Sequence, residues 1–280
     1  MISLDARMNM TANAGRERFH SGADQYAAYL ETPQGRLRSE LAVANLHDFL
    51  PRDAKGSLHA LDIGCGTGVA AVHLARLGIH VTALDSSSEM LDIARQAARN
   101  AGFTEQIEWK HRDAVELTNS FPRSFDLVLC HNVLEYVENP DSVLRDAAGA
   151  LRDSSAILSV LLRNRAGEVW KAAIKDGDLD AAEQNLAARW TTESLYGGRV
   201  RLFSTESLQA MLASASLAAV ARRGVRIVSD YLPQSVFRND RYQRIFELEL
   251  ELGRRPEFAA VARYSHWLAR RADPLTEGGA

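Results

Sequence analysis

The sequence predicts an α/β protein built on a doubly wound, mostly parallel sheet of seven strands. Three observations predict it. Short apolar strands alternate with helical stretches five times between residues 58 and 162, and the links between them are brief. A glycine-rich turn, LDIGCGTG at 61–68, joins the first strand to the first helix of the series. Such alternation makes neighbouring strands parallel and puts helices on both faces.

Before the series, residues 1–15 read as a loosely held tail. Residues 17–50 carry apolar positions at helical spacing, broken by ETPQG, and predict two helices. LHALDI (58–63) is the first strand and GVAAVHLARLG (68–78) the first helix, closed by Gly78. HVTALD (80–85) is the second strand. Ser86 and Glu89 have the spacing of a capping box and open the next helix. IEWKHRDA and FDLVLCHN are the third and fourth strands, a helix follows over 140–151, and AILSVLL (156–162) is the fifth strand. The rhythm then lapses into a helical, mixed-charge insertion over 163–200. A helix over 204–215 and strands over 217–228 and 261–269 complete the set, with 229–258 inserted between the last two strands. The organisation predicted is a tail and helical lid over 1–50, then one domain over 51–280 whose insertions 163–200 and 229–258 recognise the substrate.

Composition narrows the function. With 280 residues, 46% hydrophobic and 25% charged, the chain has material for one sizeable core. No apolar run approaches the ~18 residues a membrane helix needs. The N-terminus lacks the basic-then-apolar order of a signal peptide. Two cysteines, Cys65 and Cys130, fit a reduced, cytoplasmic setting. None of the eight histidines has an H-x-x-x-H partner or a cysteine cluster, so no metal is expected. The formal charge of −3 gives no general sign of a polyanion partner, yet residues 189–271 hold fourteen arginines, no lysine and eight acids. That local excess points to an anionic ligand or surface, or to scattered solvated arginines.

The glycine loop decides the cofactor class. Dinucleotide-binding loops follow G-x-G-x-x-G. Here Gly64, Gly66 and Gly68 give G-x-G-x-G, and position 69 is Val. The stretch resembles the first motif of class I S-adenosylmethionine (SAM) methyltransferases, which have a Rossmann-like sheet. Asp85 ending the second strand, Asp113 in HRDA, and FDLVLCHNVLEYV after it resemble the later motifs of that family, in order. The resemblance implies SAM as cofactor, held by Arg38, Gly64, Cys65, Gly66, Gly68, Asp85, Ser86, Asp113, Ala114 and His131. It gives Asp85 the ribose hydroxyls, Asp113 the adenine amino group and Arg38 the cofactor carboxylate. A guanidinium fork suits that last contact. Cys65 and Cys130 have no neighbouring base and read as packing residues.

Within the family, TPQGRLRSELAVANL, HNVLEYVENPDSVL, GVRIVSDYL and YQRIFELELELGRRPEFAAVARYSH resemble the bacterial tRNA carboxymethoxyuridine methyltransferases. These esterify the carboxylate of a modified wobble uridine. The chain departs from them in an insertion without a lysine-rich stretch and in Ser229 before Asp-Tyr-Leu. The acceptor implied is therefore tRNA or, alternatively, a small molecule such as a secondary metabolite; a SAM-binding protein without catalysis is a third reading. A carboxylate acceptor needs no general base, whereas a hydroxyl or amine would call on His131 or Tyr231. Arg199 and Arg201, in GGRVRLF, are the candidates to clamp an acceptor carboxylate, the alternative being surface charges.

Overall fold

Seven strands form the main sheet: β1 (His59–Ile63), β2 (His80–Asp85), β3 (Ile107–His111), β4 (Leu127–His131), β5 (Ile157–Arg163), β8 (Leu217–Val225) and β9 (Tyr264–Arg271). Their order is β3-β2-β1-β4-β5-β9-β8. In this computed structural model, which describes residues 22–50, 58–117, 120–193, 195, 197–237 and 241–272, the first five strands of that order are parallel. β9 runs antiparallel to both β5 and β8. The expected tail, the opening turn of the first N-terminal helix and the boundary at 51 lie outside the described residues.

Side-chain alternation along the strands makes the sheet doubly wound. Leu61, Ile63, Val128 and Cys130 pack on one face with α5 (Pro140–Ala150) and α8 (Thr205–Ser214). Ala60, Leu127 and Leu129 point the other way, onto α3 (Val69–Arg76) and Ala98 of α4 (Ser88–Ala101). Because β1 is followed by β2 on one side and flanked by β4 on the other, the strand order reverses between β1 and β4. Loops leaving the carboxyl ends of these two strands diverge there, and the gap between them is where such sheets bind ligands.

Two helices precede the sheet, α1 (Ala23–Glu31) and α2 (Pro33–His47). They meet at Thr32, whose Oγ1 accepts from the Gly35 N–H at 3.1 Å while Pro33 occupies the first helical turn. The second is not a detachable element. Leu37, Leu41 and Leu46 of α2 are wholly buried, the first two against Leu161, Val225 and Ile245. Truncating each would cost about 2–5 kcal/mol, so α2 belongs to the core.

Three expectations shift locally. The α4 cap is Ser87, one residue beyond Ser86: its Oγ accepts from Met90 N–H, because the Asp85 carboxylate first takes the Ser87 N–H at 2.9 Å and prolongs the turn. The strand expected to reach 228 stops at Val225, where Arg226 turns the chain with φ of +63°. The insertion after β5 holds helices α6 (Arg165–Trp170) and α7 (Leu179–Asn185), a π-helical turn (Lys171–Asp176) between them, and an unexpected hairpin of β6 (Trp190–Thr192) and β7 (Arg199–Arg201). The second insertion is largely helical, with α9 (Arg241–Arg254) and α10 (Pro256–Ala259). Among the described residues no helix is long and apolar enough to cross a membrane.

Candidate active site

Two open cavities of about 500 and 740 Å³ meet above the strand ends and share Tyr26, Arg38 and Asn132. The first is floored by the glycine loop. Gly64, Gly66 and Gly68 all have positive φ. At Gly64 a Cβ would stand 2.5 Å from Val133 Cγ2, and at Gly68 2.8 Å from the Trp109 ring. Side chains are excluded there by both conformation and space. The loop is tied to the end of β2, where Gly66 N–H donates to Asp85 Oδ2 at 2.8 Å. Burial pushes the Asp85 carboxyl up, and its backbone N–H donors pull against that.

Arg38 enters from α2, only 7% exposed. Its guanidinium donates to Tyr26 Oη at 2.7 Å and lies over the rings of Tyr26, Tyr29 and Tyr264. Across the same cavity is Asp62, 2% exposed, with Oδ2 lacking a hydrogen-bond partner. Burial first and Asp85 second push its carboxyl up to about 7. A buried cation on one side and an unsatisfied carboxylate on the other match the two ends of an amino-acid zwitterion. These features fit the methionine tail of SAM.

His131, Cys65 and Gly64 line this first cavity with Arg38 and Asp62. Gly66, Gly68, Asp85 and Ser86 are not among the residues lining either cavity; Gly66 and Gly68 belong to the glycine loop, and Asp85 is joined to it through Gly66. Asp113 follows β3, where its Oδ1 caps a short 3₁₀ turn through Val115 N–H, with Ala114 buried beside it. His131 is held from behind. Its Nε2 is 2.7 Å from Ser159 Oγ, which is 2.7 Å from His266 Nε2, and Asn45 Nδ2 lies 3.3 Å from His266 Nδ1. Burial, then Arg38, lowers His131 to about 3, so the ring is neutral and a weak base. Burial raises Tyr231 to about 12, which keeps its phenol protonated. Tyr231 lines neither cavity. Burial also raises both thiols, leaving Cys65 and Cys130 without thiolate character.

The second cavity is cationic. Arg38, Arg163, Arg226, Arg263, Lys171 and Lys175 line it, with Glu193 and Asp230. Arg163 bridges Glu168 and Glu193, Arg226 pairs with Asp230, and Arg263 pairs with Glu168 and Asp230. Tyr264 senses the surplus: burial would raise its phenol, but Arg163, Arg38, Arg226 and Arg263 together bring it down to about 8. Asn132 and Arg226 both hold φ above +50°. Positive φ in non-glycine residues is uncommon, and sites that hold it gather around function.

Arg199 and Arg201 do not line either cavity. On the hairpin both guanidiniums lie over Trp190, at 4.8 and 4.5 Å from the ring centre, because the β6–β7 register puts the three side chains on one face. Of the cations that wall the second cavity only Arg38 is expected from the sequence; Arg163, Arg226, Arg263, Lys171 and Lys175 are not, although Arg226 and Asp230 lie in GVRIVSDYL. Lys171 and Lys175 are two of the chain's four lysines, a scarcity that was itself a signal. Among the described residues no group of three or more His, Cys, Asp or Glu is placed to hold a metal.

A family model described as a methyltransferase domain matches residues 61–159. The chain is 28% identical over 246 residues to the tRNA 5-carboxymethoxyuridine methyltransferase of Escherichia coli (strain K12), covering 86% of this chain and 90% of that one. It is 32% identical over 167 residues to the ubiquinone biosynthesis O-methyltransferase of Xanthomonas euvesicatoria pv. vesicatoria (strain 85-10), covering 57% and 69%. Among solved structures, magnesium protoporphyrin IX methyltransferase from Synechocystis PCC 6803 with bound SAH superposes with a TM-score of 0.63 over 93% of this chain and all of that one. At 14% identity that likeness speaks for the fold alone.

Proposed function

The chain belongs to the class I SAM-dependent methyltransferases, and from that premise we propose that it methylates a carboxylate oxygen on a modified wobble uridine of tRNA. The acceptor class is carried by one observation, the cationic second cavity that opens into the cofactor cavity at Arg38. Arg163, Arg226 and Arg263 are paired there with Glu168, Glu193 and Asp230, and Lys171 with Asp176, which leaves Lys175, and Arg38 where the two cavities join. An entering carboxylate meets Lys175 and the donor-rich wall that these arginines form. The similarity to the E. coli tRNA enzyme over 90% of its length supports the nucleic-acid form of that acceptor.

In this reading Arg38 holds the cofactor carboxylate and Asp62 its ammonium. Gly64, Cys65, Gly66 and Gly68 pass backbone along the tail, Asp85 with Ser86 takes the ribose, and Asp113 with Ala114 takes the adenine edge. Bound SAM supplies an electrophilic methyl group on a sulfonium. The protein's part is alignment, which in well-oriented reactions is worth ~7–11 kcal/mol. A carboxylate acceptor arrives ionised, so neutral His131 and protonated Tyr231 are not required as bases. His131 serves as a fixed wall of the cofactor cavity.

A small-molecule acceptor is the second reading, favoured by the similarity to the Xanthomonas ubiquinone-pathway enzyme and by Asp176, Asp178 and Asp180 in the insertion. Mass spectrometry of tRNA nucleosides from a strain lacking this protein separates the two. Loss of a methyl-esterified wobble uridine, with its free acid accumulating, supports the tRNA reading. An unchanged nucleoside profile refutes it.

A further inference from the structure

The side chains of Trp190, Arg199 and Arg201 form a pile on the outer face of the β6–β7 hairpin, with Trp190 and Arg199 exposed and Arg201 half-buried. Trp190 is opposite Arg201 and diagonal to Arg199, so one side of the ribbon carries all three, while Val200 on the other side is fully buried. Trp190 stays 37% exposed, and Arg189 and Arg199 are exposed beside it. A large aromatic left at the surface between guanidiniums, on a strand pair otherwise anchored by its inner face, is poorly explained by packing.

The ribbon is held rigidly to the active site. Arg201 N–H donates to Glu135 O at 3.0 Å, and Arg201 Nη2 donates to Glu138 O at 3.2 Å, both in the segment after β4. Glu193 and Leu195, which follow β6, line the second cavity with Lys171 and Lys175. Tyr136 Oη donates to Glu193 Oε2 at 3.1 Å. The pile therefore stands outside the cavity on the same element that forms part of its wall.

We propose that this face is a docking surface for single-stranded RNA, the anticodon loop whose wobble base enters the second cavity. The inference rests on the tRNA reading above. Unstacked loop bases are bound by aromatic rings and guanidinium planes, and neighbouring cations meet the phosphates. Trp190 and Arg199 supply the stacking surface for a base flanking the acceptor. Arg189 and Arg201 supply positive charge for the phosphate between that base and the acceptor. RNA is favoured over a protein partner because the patch stacks an exposed ring with guanidiniums, the pairing that holds a base beside its phosphate.

The test uses the full-length protein with tRNA from a strain lacking it, and compares wild type with Trp190→Ala and with Arg199→Ala/Arg201→Ala. SAH binding is measured in parallel and is expected to be unchanged, which shows that the fold is intact. Filter binding of tRNA is expected to weaken by roughly tenfold to a hundredfold in Trp190→Ala, the range that removal of a base stack gives. The double arginine variant, which removes the Arg201 phosphate contact along with the Arg199 stacking plane, is expected to weaken binding and to lower the slope of log affinity against log salt by about one. Wild-type binding and methylation of tRNA with neither variant altered would overturn the docking surface and leave the tRNA reading standing. Failure of the wild-type protein to bind or methylate tRNA would remove both.

Discussion

The Gly66 N–H donates a 2.8 Å hydrogen bond to Oδ2 of Asp85, joining the glycine loop after β1 to the acid that ends β2. Asp85 thus has two tasks, since its Oδ1 also accepts the Ser87 N–H that opens α4. Remaining lone pairs are free to take ribose hydroxyls while the loop stays anchored.

Replacing Asp85 with Ala is therefore expected to loosen the loop and remove the ribose contact together. A charged hydrogen bond is worth ~1.5–3 kcal/mol, so SAH affinity by calorimetry falls about tenfold to over a hundredfold. Unchanged affinity would remove Asp85 from the cofactor site.

Arg38 is expected to act on the amino-acid tail alone. Arg38→Lys keeps the charge and loses the planar fork. SAH binding is expected to weaken by about tenfold or more, whereas 5′-methylthioadenosine, which lacks the carboxylate, binds variant and wild type alike. Equal losses for both ligands would make Arg38 a packing residue. Deleting α2 is a poor substitute, because Leu37, Leu41 and Leu46 are expected to take the fold with them.

Asp62 gives the site a pH signature. Its carboxyl stands at about 7, above its value in an unfolded chain. Its contribution to stability is therefore complete below the usual carboxylate range and is lost as pH rises through 7. An incoming ammonium favours the ionised form. Calorimetry at about pH 6 in two buffers of different ionisation enthalpy is expected to show proton release on SAM binding, and none in Asp62→Asn. Absence of release in the wild type would contradict the pairing.

His131 is expected to stay neutral throughout the working range. Asn45 donates to His266 Nδ1, so His266 bears its proton on Nε2, Ser159 passes its own to His131 Nε2, and His131 carries its proton on Nδ1. Nitrogen-15 NMR of the wild type reads that tautomer directly, and Ser159→Ala is expected to mix it. At saturating SAM, kcat should show no His131 limb between about pH 5 and 8. A limb near 6.5 that vanishes in His131→Asn would make His131 a base.

The sheet and the cofactor loop were legible because both are local. Strand–helix alternation and G-x-G-x-G at 64–68 declare themselves within a few residues. The second cavity was not, because beyond Arg38 its wall is assembled from Arg163, Arg226 and Arg263, drawn from separate segments. Arginine density drew attention to Arg199 and Arg201, but density carries no direction, and the period-two geometry of a short hairpin turns both outward onto Trp190. The helix α9 was hidden for a related reason. FELELELG alternates apolar and acidic residues like a strand, while Ile245, Glu249 and Gly253 form its buried stripe at helical spacing. Glu249 is buried because it accepts the N–H groups of Ile227, Val228 and Ser229, a long-range contact no local pattern reveals.

Transfer of labelled methyl from SAM to tRNA prepared from a strain lacking this protein, catalysed by the purified enzyme, tests the acceptor most directly. The label is expected in a single wobble-position nucleoside and is expected to leave as methanol under mild alkali, the mark of a carboxylate ester. Label that survives alkali, or that enters only small acids and never tRNA, would contradict the account.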